Sequence, residues 1–483
     1  MKQKDFLFNL FILLFLNLLV KPFWILGVDM GVQNAVGAES YGLFFAFFNF
    51  TLLFNMLLDL GITNFNNRNI AQNTQLLSKQ ISGILTLKLV LGLIYLFIVL
   101  IAGICIGYEG FQLKLLAWIA FNQFLNALIL YLRSNVAALL MFKTDSILSV
   151  LDKLLMILIC GVLLWGNVNQ KPFQIIWFVY AQTASYLIAS AVALTIVLLK
   201  AKITRLTWNF TFFRAILKKS FPFALLALLM SIYGRFDAVL IKWILPDSIS
   251  SYQSGIFASA FRFLDALAQV AFLVAVILLP LFSKMLKNKE DLTPIIRSAF
   301  TLLFFFSVTS TILLFAYRIP LLSYRYPDIW MESVRVFVFI IPCIIPISMI
   351  YIFGTLLTAN GSLRILNITS GIAIVVNIVI NLTLIPVLEA RGAAIASLST
   401  QTSIGLMQFI IAFRLLKIPF SILPYFRYLI YICLLLVSVY FTKYFFQVPP
   451  VYGLSICTGL ALVWAFVTKL IPIKFIEELF SRT

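Results

Sequence analysis

The chain has 483 residues, 63% apolar and only 11% charged, whereas soluble proteins run at about 45–50% apolar and about 25% charged. At about 20 apolar residues per bilayer crossing, fourteen crossings would use roughly 280 to 300 residues, so the composition specifies an all-α integral membrane protein with no sizeable aqueous domain. The absence of histidine excludes His-based metal ligation and His acid/base catalysis, and in a membrane chain the net charge of +19 marks cytoplasmic loops and anionic lipid rather than nucleic acid.

The first apolar run, at about 6–28, lacks a small-residue cleavage site and continues through Lys21 and Pro22, so it reads as a retained helix rather than a removed signal peptide. Runs near 41–59, 80–106, 112–132, 147–166 and 173–199 complete a first set of six. A basic stretch from Lys200 to Lys219 follows, and six more runs lie near 221–246, 252–282, 294–317, 333–358, 365–388 and 392–413. Two last runs, at 428–446 and 450–468, bring the expected count to fourteen. The expected organisation is a six-helix bundle over 1–199, a basic cytoplasmic linker over 200–219, a second six-helix bundle over 220–416, and two added helices with a cytoplasmic tail over 417–483. The five cysteines, Cys105, Cys160, Cys343, Cys433 and Cys457, are odd in number and set in apolar runs, which suits inert buried thiols. No glycine-rich loop ending in Gly-Lys-Ser/Thr is present, so the chain carries no recognisable ATP-hydrolysing module of its own.

Orientation follows from the basic residues. With the N-terminus inside, 23 of the 36 Lys and Arg fall on the cytoplasmic face, 7 on the opposite face and 6 within the membrane. Both termini are therefore expected to be cytoplasmic. Two sets of six that start on the same face suit parallel repeats related by an axis along the membrane normal, a common transporter plan. The linker aromatics Trp208, Phe210, Phe212 and Phe213, flanked by bases, suit an interfacial segment on the inner leaflet.

Charges at membrane depth are costly and mark pathways or partners. Lys88, Lys153 and Lys242 lie near enough to helix ends to be expected to snorkel. Arg235 and Arg262 fall near mid-bilayer, and Lys21 lies about seven residues from the outer end of its helix, at about 1.5 Å per residue. If the three project into one cavity, its field is cationic and suits phosphate or carboxylate, which guanidinium can grip bidentately. Arg262, Asp265 and Gln269 share one helical face, and Thr51, Asn55 and Asp59 share another, giving two polar stripes. These stripes read either as cavity lining or as hydrogen-bond glue between helices. Arg235 and Asp237, two apart, do not face each other along a helix. Asp59, Asp237 and Asp265 are the acids that could hold a proton or a sodium ion, or act as charge partners.

A set of short motifs runs through both halves. Tyr41-Gly42 opens the second run, Asp59-Leu60-Gly61 closes it, and Arg68-Asn69-Ile70-Ala71 follows in the inside loop. The seventh run carries Ser220-Phe221-Pro222 and Arg235-Phe236-Asp237, and the eleventh and twelfth carry Asn377, Asn381 through Pro386, and Gly392 through Ser397. Physics explains part of this pattern: the two asparagines can bond across helices, Pro386 is expected to end the eleventh helix, and Gly392-Ala393-Ala394 offers a small packing surface.

Together these motifs resemble the polysaccharide and O-antigen flippase family of the multidrug/oligosaccharidyl-lipid/polysaccharide exporter superfamily. The resemblance implies two six-helix bundles around a central cavity, plus two C-terminal helices. It implies a non-enzymatic flippase that moves an undecaprenyl-diphosphate-linked oligosaccharide from the inner to the outer leaflet of the bacterial inner membrane, in surface polysaccharide or lipopolysaccharide assembly. No cofactor is expected beyond a coupling proton or sodium. The expected partners are the lipid-linked glycan, membrane lipids and other polysaccharide-assembly membrane proteins. Rival readings are a cation-coupled drug exporter of the same superfamily, a peptidoglycan-precursor flippase, and a membrane glycan polymerase or ligase, for which the longest outside loop, about 318–332, is short.

Overall fold

In hydrocarbon a backbone must satisfy its own hydrogen bonds, and helices do so within one segment. The structure, a computed structural model, describes residues 15–63, 66, 75–139, 141–166, 172–201, 208–416 and 425–470, and among them there is no strand. The Arg68-Asn69-Ile70-Ala71 motif, both chain termini and the linker residues 202–207 lie outside the described residues, and of Ser220-Phe221-Pro222 only the helical backbone is described.

Helix α1 runs Phe15–Leu53, followed by the single turn α2 (Met56–Asp59). Next come α3 (Leu76–Ile106), α4 (Gly110–Ala138), α5 (Phe142–Trp165), α6 (Ile175–Ala201), α7 (Phe210–Ile244) and α8 (Asp247–Asn288). Besides a short helix at Arg318–Arg325, the rest are α9 (Thr293–Ala316), α10 (Trp330–Ala359), α11 (Leu363–Leu416), α12 (Tyr425–Tyr440) and α13 (Pro450–Val467). Among the described residues, eleven helices are long and apolar enough to cross a membrane. That is fewer than the expected fourteen, and two of the eleven, α1 and α11, are each bent by one non-helical residue, Gly37 and Glu389. Helix α7 is outside the eleven and carries Arg214, Lys218, Lys219, Arg235, Asp237 and Lys242.

Three local features depart from the expectation. The polar stretch 29–40 is no loop: the helix continues through a π-helical segment, Trp24–Asp29, and turns only at Gly37, whose φ of 80° is open to glycine. Asp29 is thereby buried inside the helix and accepts the Tyr41 hydroxyl at 2.9 Å. Pro386 does not end α11; the helix continues past it and breaks three residues later at Glu389, where φ is 53°. Phe54 and Asn55 form a turn between α1 and α2, which interrupts the Thr51-Asn55-Asp59 stripe.

The chain forms two compact units, one of residues 1–258 with 381–393 and the other of 259–380 with 394–483. In the first, Ile81, Ile84, Leu87 and Leu91 of α3 build a core with Tyr131, Leu132 and Val136 of α4, Leu148 of α5, Ala193 and Val197 of α6 and Ile216 of α7. Within the same unit α1 and the start of α8 meet backbone to backbone. A Cβ added at Gly42 would stand 1.8 Å from the Ser251 carbonyl oxygen, and one at Gly255 2.0 Å from that of Ala38. In the second unit α12 and α13 dock on α9 around Leu313, Tyr431, Leu435 and Ala461, with Thr301 and Tyr428 joined through their hydroxyls at 2.7 Å. Helix α10 is segmented, with a 3-10 turn at Ile341–Cys343 and a π segment at Ile350–Gly354.

The glycine seam gives a direct test. Gly42→Ala or Gly255→Ala overpacks the seam and should cost about 1–3 kcal/mol, read as a fall in the melting temperature of the purified protein. Gly371→Ala, where an added Cβ meets nothing within 4 Å, should not lower it. Equal melting of all three variants would show that α1 and α8 are not held this close.

Candidate functional site

A charge within a spanning helix needs a partner because neither lipid nor a dry interior solvates it. The three lysines expected to snorkel are each paired with an acid. Lys88 on α3 is 2% exposed, bonds to the Asp59 carboxylate and donates to the Leu58 carbonyl at 3.0 Å. Asp59 also takes the Thr63 hydroxyl, and its backbone amide at 3.2 Å, so it ties the left-handed turn at Leu60-Gly61 to α3. Lys242 is buried and bonds to Asp247 at 2.9 Å and Ser250 at 2.8 Å. Lys153 lies 3.1 Å from Asp152, donates to the Tyr186 hydroxyl at 3.1 Å, and stands over the Trp24 ring at 5.8 Å. Lys88 and Lys153 thus meet an acid within the helices, while Lys242 reaches an acid that is exposed at the first residue of α8, close to the helix end where it was expected.

The residues singled out as cavity cations separate as follows. Lys21 and Arg235 belong to the first unit and Arg262 to the second. Lys21 is half-buried on α1 and lies close enough to feel the charges of Arg133, Lys153 and Asp152. Arg235 is half-buried on α7, one turn before Val239 and two residues before Asp237. Asp237 is 3% exposed and accepts the Asn381 side-chain amide at 2.7 Å, which joins the Arg235-Phe236-Asp237 motif to the Asn381 motif through one bond. Arg262 is 8% exposed and reaches Asp265 at 3.4 Å on the same face of α8, where Gln269 also lies.

The polar stripe residues are more structural. Thr51 turns its hydroxyl back to the Phe48 carbonyl at 2.7 Å and offers its own carbonyl to Tyr95, while Asn55 sits half-buried in the turn before α2. Asn377 donates to Thr400 at 3.3 Å within the second unit.

Sequence reasoning missed two groups. Arg133 was expected in an inside loop; it lies in α4, half-buried, with its guanidinium in a two-point contact with Asp145 at 2.9 and 3.4 Å. At the far end of the first unit, Gln253 donates to Glu389 at 2.6 Å and accepts the Ala390 amide at 3.4 Å, holding the break in α11; Gln33 donates to the Gly255 carbonyl at 2.9 Å. The only sequence signal for the first was the proximity of Asp145, and none existed for the second. Nearby, outside the spans, burial raises the Tyr108 phenol above its ordinary value against a hydrogen bond from Trp243 Nε1 at 3.2 Å. Among the described residues no group of three acids or cysteines could hold a metal ion.

The described residues thus form bent, apolar helices of membrane-spanning length joined by ion pairs between helices. Residues 6–286 match the profile of the polysaccharide biosynthesis protein family, and the chain belongs to that family. Among curated proteins no sequence matches significantly. Solved structures with the same fold include the lipid II flippase MurJ in an inward closed conformation, with a TM-score of 0.68 and 15% identity over 95% of this chain and 97% of that one. An inward-facing multidrug resistance MATE transporter of the MOP superfamily gives 0.61 and 13% identity over 81% of this chain and 94% of that one. A MOP superfamily transporter from Pyrococcus furiosus gives 0.62 and 14% over 85% and 95%. These similarities establish the fold.

The Asp59 pair supplies a test of role. Lys88→Met strands a carboxylate and should cost about 3 kcal/mol, and Lys88→Met with Asp59→Leu should recover most of it, measured by melting temperature. A double variant that melts normally and retains transport assigns the pair to structure alone; normal melting with transport lost assigns Asp59 to coupling.

Proposed function

We propose that the protein flips an undecaprenyl-diphosphate-linked oligosaccharide, an O-antigen or other surface polysaccharide unit, from the inner to the outer leaflet of the bacterial inner membrane by alternating access, without chemical catalysis. The observation that carries this reading is the sign of the charges at membrane depth in a polysaccharide-biosynthesis family member: Lys21, Arg235 and Arg262 offer ammonium and guanidinium groups to an anion. A diphosphate is the part of the cargo least able to enter hydrocarbon, so its crossing needs cations placed along the way. The oligosaccharide, rich in hydroxyls, asks for dispersed hydrogen-bonding groups. Both termini are placed in the cytoplasm by the same charge asymmetry that orients the helices.

Coupling to a proton or sodium falls to Asp237 in this reading. Asp237 accepts the amide of Asn381, a side chain that can turn its oxygen toward a sodium ion as readily as it turns its nitrogen toward the carboxylate. Asp237→Asn should then uncouple transport from the ion gradient while leaving insertion intact.

The deciding experiment is deletion in the native host with examination of lipid-linked intermediates. Completed repeat units trapped on the inner leaflet support the flippase; drug sensitivity with normal surface glycan overturns it in favour of a MATE-like exporter. In complementation, Arg235→Glu and Arg262→Glu should each abolish glycan export with unchanged protein levels, and normal export in both would remove the cationic pathway from the mechanism.

A further inference from the structure

Helices α4 and α6 of the first unit are joined at a polar seam. The Asn122 amide donates to the Val179 carbonyl at 3.1 Å and accepts the Thr183 hydroxyl at 2.7 Å, so it is engaged at both ends. The two helices run in the same direction, because α5 carries the chain back between them. At about 100° per residue, the residue after the contact on one parallel helix and the residue before it on the other point to the same side of the seam. Those residues are Gln123 and Gln182. The opposite side carries Trp118 and Tyr180, with rings 5.1 Å apart, and there Tyr180 is exposed, as a lipid-facing residue would be. The glutamine side faces α1: Phe178, one turn before Gln182, lies parallel to Trp24 at 6.0 Å and meets Phe44 at 5.2 Å.

Gln123 is 4% exposed and Gln182 7%, and neither makes a hydrogen bond among the described residues; nor does the half-buried Asn126, one turn beyond Gln123. Glue between helices would be bonded, as Asn122 and Thr183 are beside them. A buried amide without partners gives up its hydration and gains nothing for it. Three on one face, inside spanning helices, therefore call for an occupant. The chemistry of the amides selects it. Each carries two N–H donors and one acceptor oxygen. An ionised phosphate offers only acceptors and would leave the three oxygens unpaired, and an acyl chain offers neither. A sugar hydroxyl both gives and takes a hydrogen bond, while the C–H faces of the ring suit the apolar flank made by Trp24, Phe44 and Phe178. Lys21 lies on the same face of α1 as Trp24, three residues before it, which sets the amides near the first of the cations assigned above to the diphosphate.

We propose that Gln123, Gln182 and Asn126 form a hydroxyl-binding site for the sugar that follows the diphosphate in the lipid-linked glycan. The site rests on the flippase reading above and extends it from the charge of the carrier to the glycan. It acts through neutral hydrogen bonds alone, with the ring lying against the aromatic flank on the α1 side. Such a site selects the first ring by its hydroxyls, because a ring that lacks the matching hydroxyl leaves a buried amide unpaired. Asn122 and Thr183, bonded to each other, hold α4 and α6 at the spacing that keeps the two glutamines side by side.

The test compares two ligands on the full-length protein in phosphatidylethanolamine nanodiscs: bare undecaprenyl diphosphate, and the lipid-linked repeat unit extracted from the deletion host. The wild type should bind the repeat unit about tenfold more tightly than the bare carrier, or better. Gln123→Leu combined with Gln182→Leu should erase that preference and leave the affinity for the bare carrier unchanged. The melting temperature of this double variant should hold or rise, since apolar side chains replace unpaired amides. A packing role gives the reverse pattern, a lower melting temperature with the preference kept, and overturns the site. Asn126→Leu should weaken the preference in the same direction. A repeat unit trimmed to its first sugar should keep the preference, and its loss on trimming overturns the assignment to that sugar. A wild type that binds both ligands equally, or a double variant that still prefers the repeat unit, overturns the site while leaving the flippase reading intact. A wild type that binds neither overturns the cargo reading and the site with it.

Discussion

An ion cannot be left alone in hydrocarbon, and that constraint organises this protein. A charged group at the centre of a spanning helix costs about 2.5–3.5 kcal/mol on insertion scales, so each must be met by another. Here the partners sit mainly on other helices: Lys88 of α3 with Asp59 after α1, and Arg133 of α4 with Asp145 of α5. Such a pair does more than neutralise. It fixes which helices are neighbours and at what height, information that the apolar surfaces, made of interchangeable Leu, Ile and Phe, do not carry. Between helices that gain no hydrophobic advantage from association in lipid, these pairs and the glycine seam at Gly42 and Gly255 are what specify one arrangement.

The bends follow a related rule. Backbone that leaves the helix inside a membrane must still satisfy its polar groups, so breaks occur where a side chain can serve them. At Glu389, Gln253 lends one arm to the carboxylate and the other to the following amide. After α2, Asp59 receives the Thr63 amide. Helix α10 meets Pro342 and Pro346 with one tightened and one widened turn instead of a break. Segments already held in non-ideal turns need less additional distortion to change shape than an ideal helix would.

Much of this was legible in the residues. Composition gave the membrane class, apolar runs gave most helices, and the motifs at Asp59-Leu60-Gly61, Arg235-Phe236-Asp237 and Asn381 pointed to residues that the structure joins to partners. What was hidden is pairing across helices. Nothing in the sequence says that Lys88 meets Asp59 twenty-nine positions away, or that Arg133 lies within a helix rather than beyond its end. The charge rule places both lysine and arginine near an interface, because it weighs the cost of burial without the gain from an unseen acid. The Gly37 turn was hidden for a similar reason: five polar residues between Asp29 and Ser40 suggested a loop, but Asp29 accepts the Tyr41 hydroxyl and Gln33 donates to the Gly255 carbonyl, and helix costs less than exposure.

The same logic separates what holds the fold from what could handle cargo. A compensated pair has almost no field beyond its own length, so Asp59–Lys88 attracts nothing that passes. Only an uncompensated or loosely compensated charge can recognise a mobile ion, which is the part proposed above for Lys21, Arg235 and Arg262. Recognition built this way reads the phosphate and ignores the sugar. A flippase that held its carrier by the diphosphate alone would move any glycan small and polar enough to accompany it, leaving sugar selectivity to the enzymes that assemble the repeat unit.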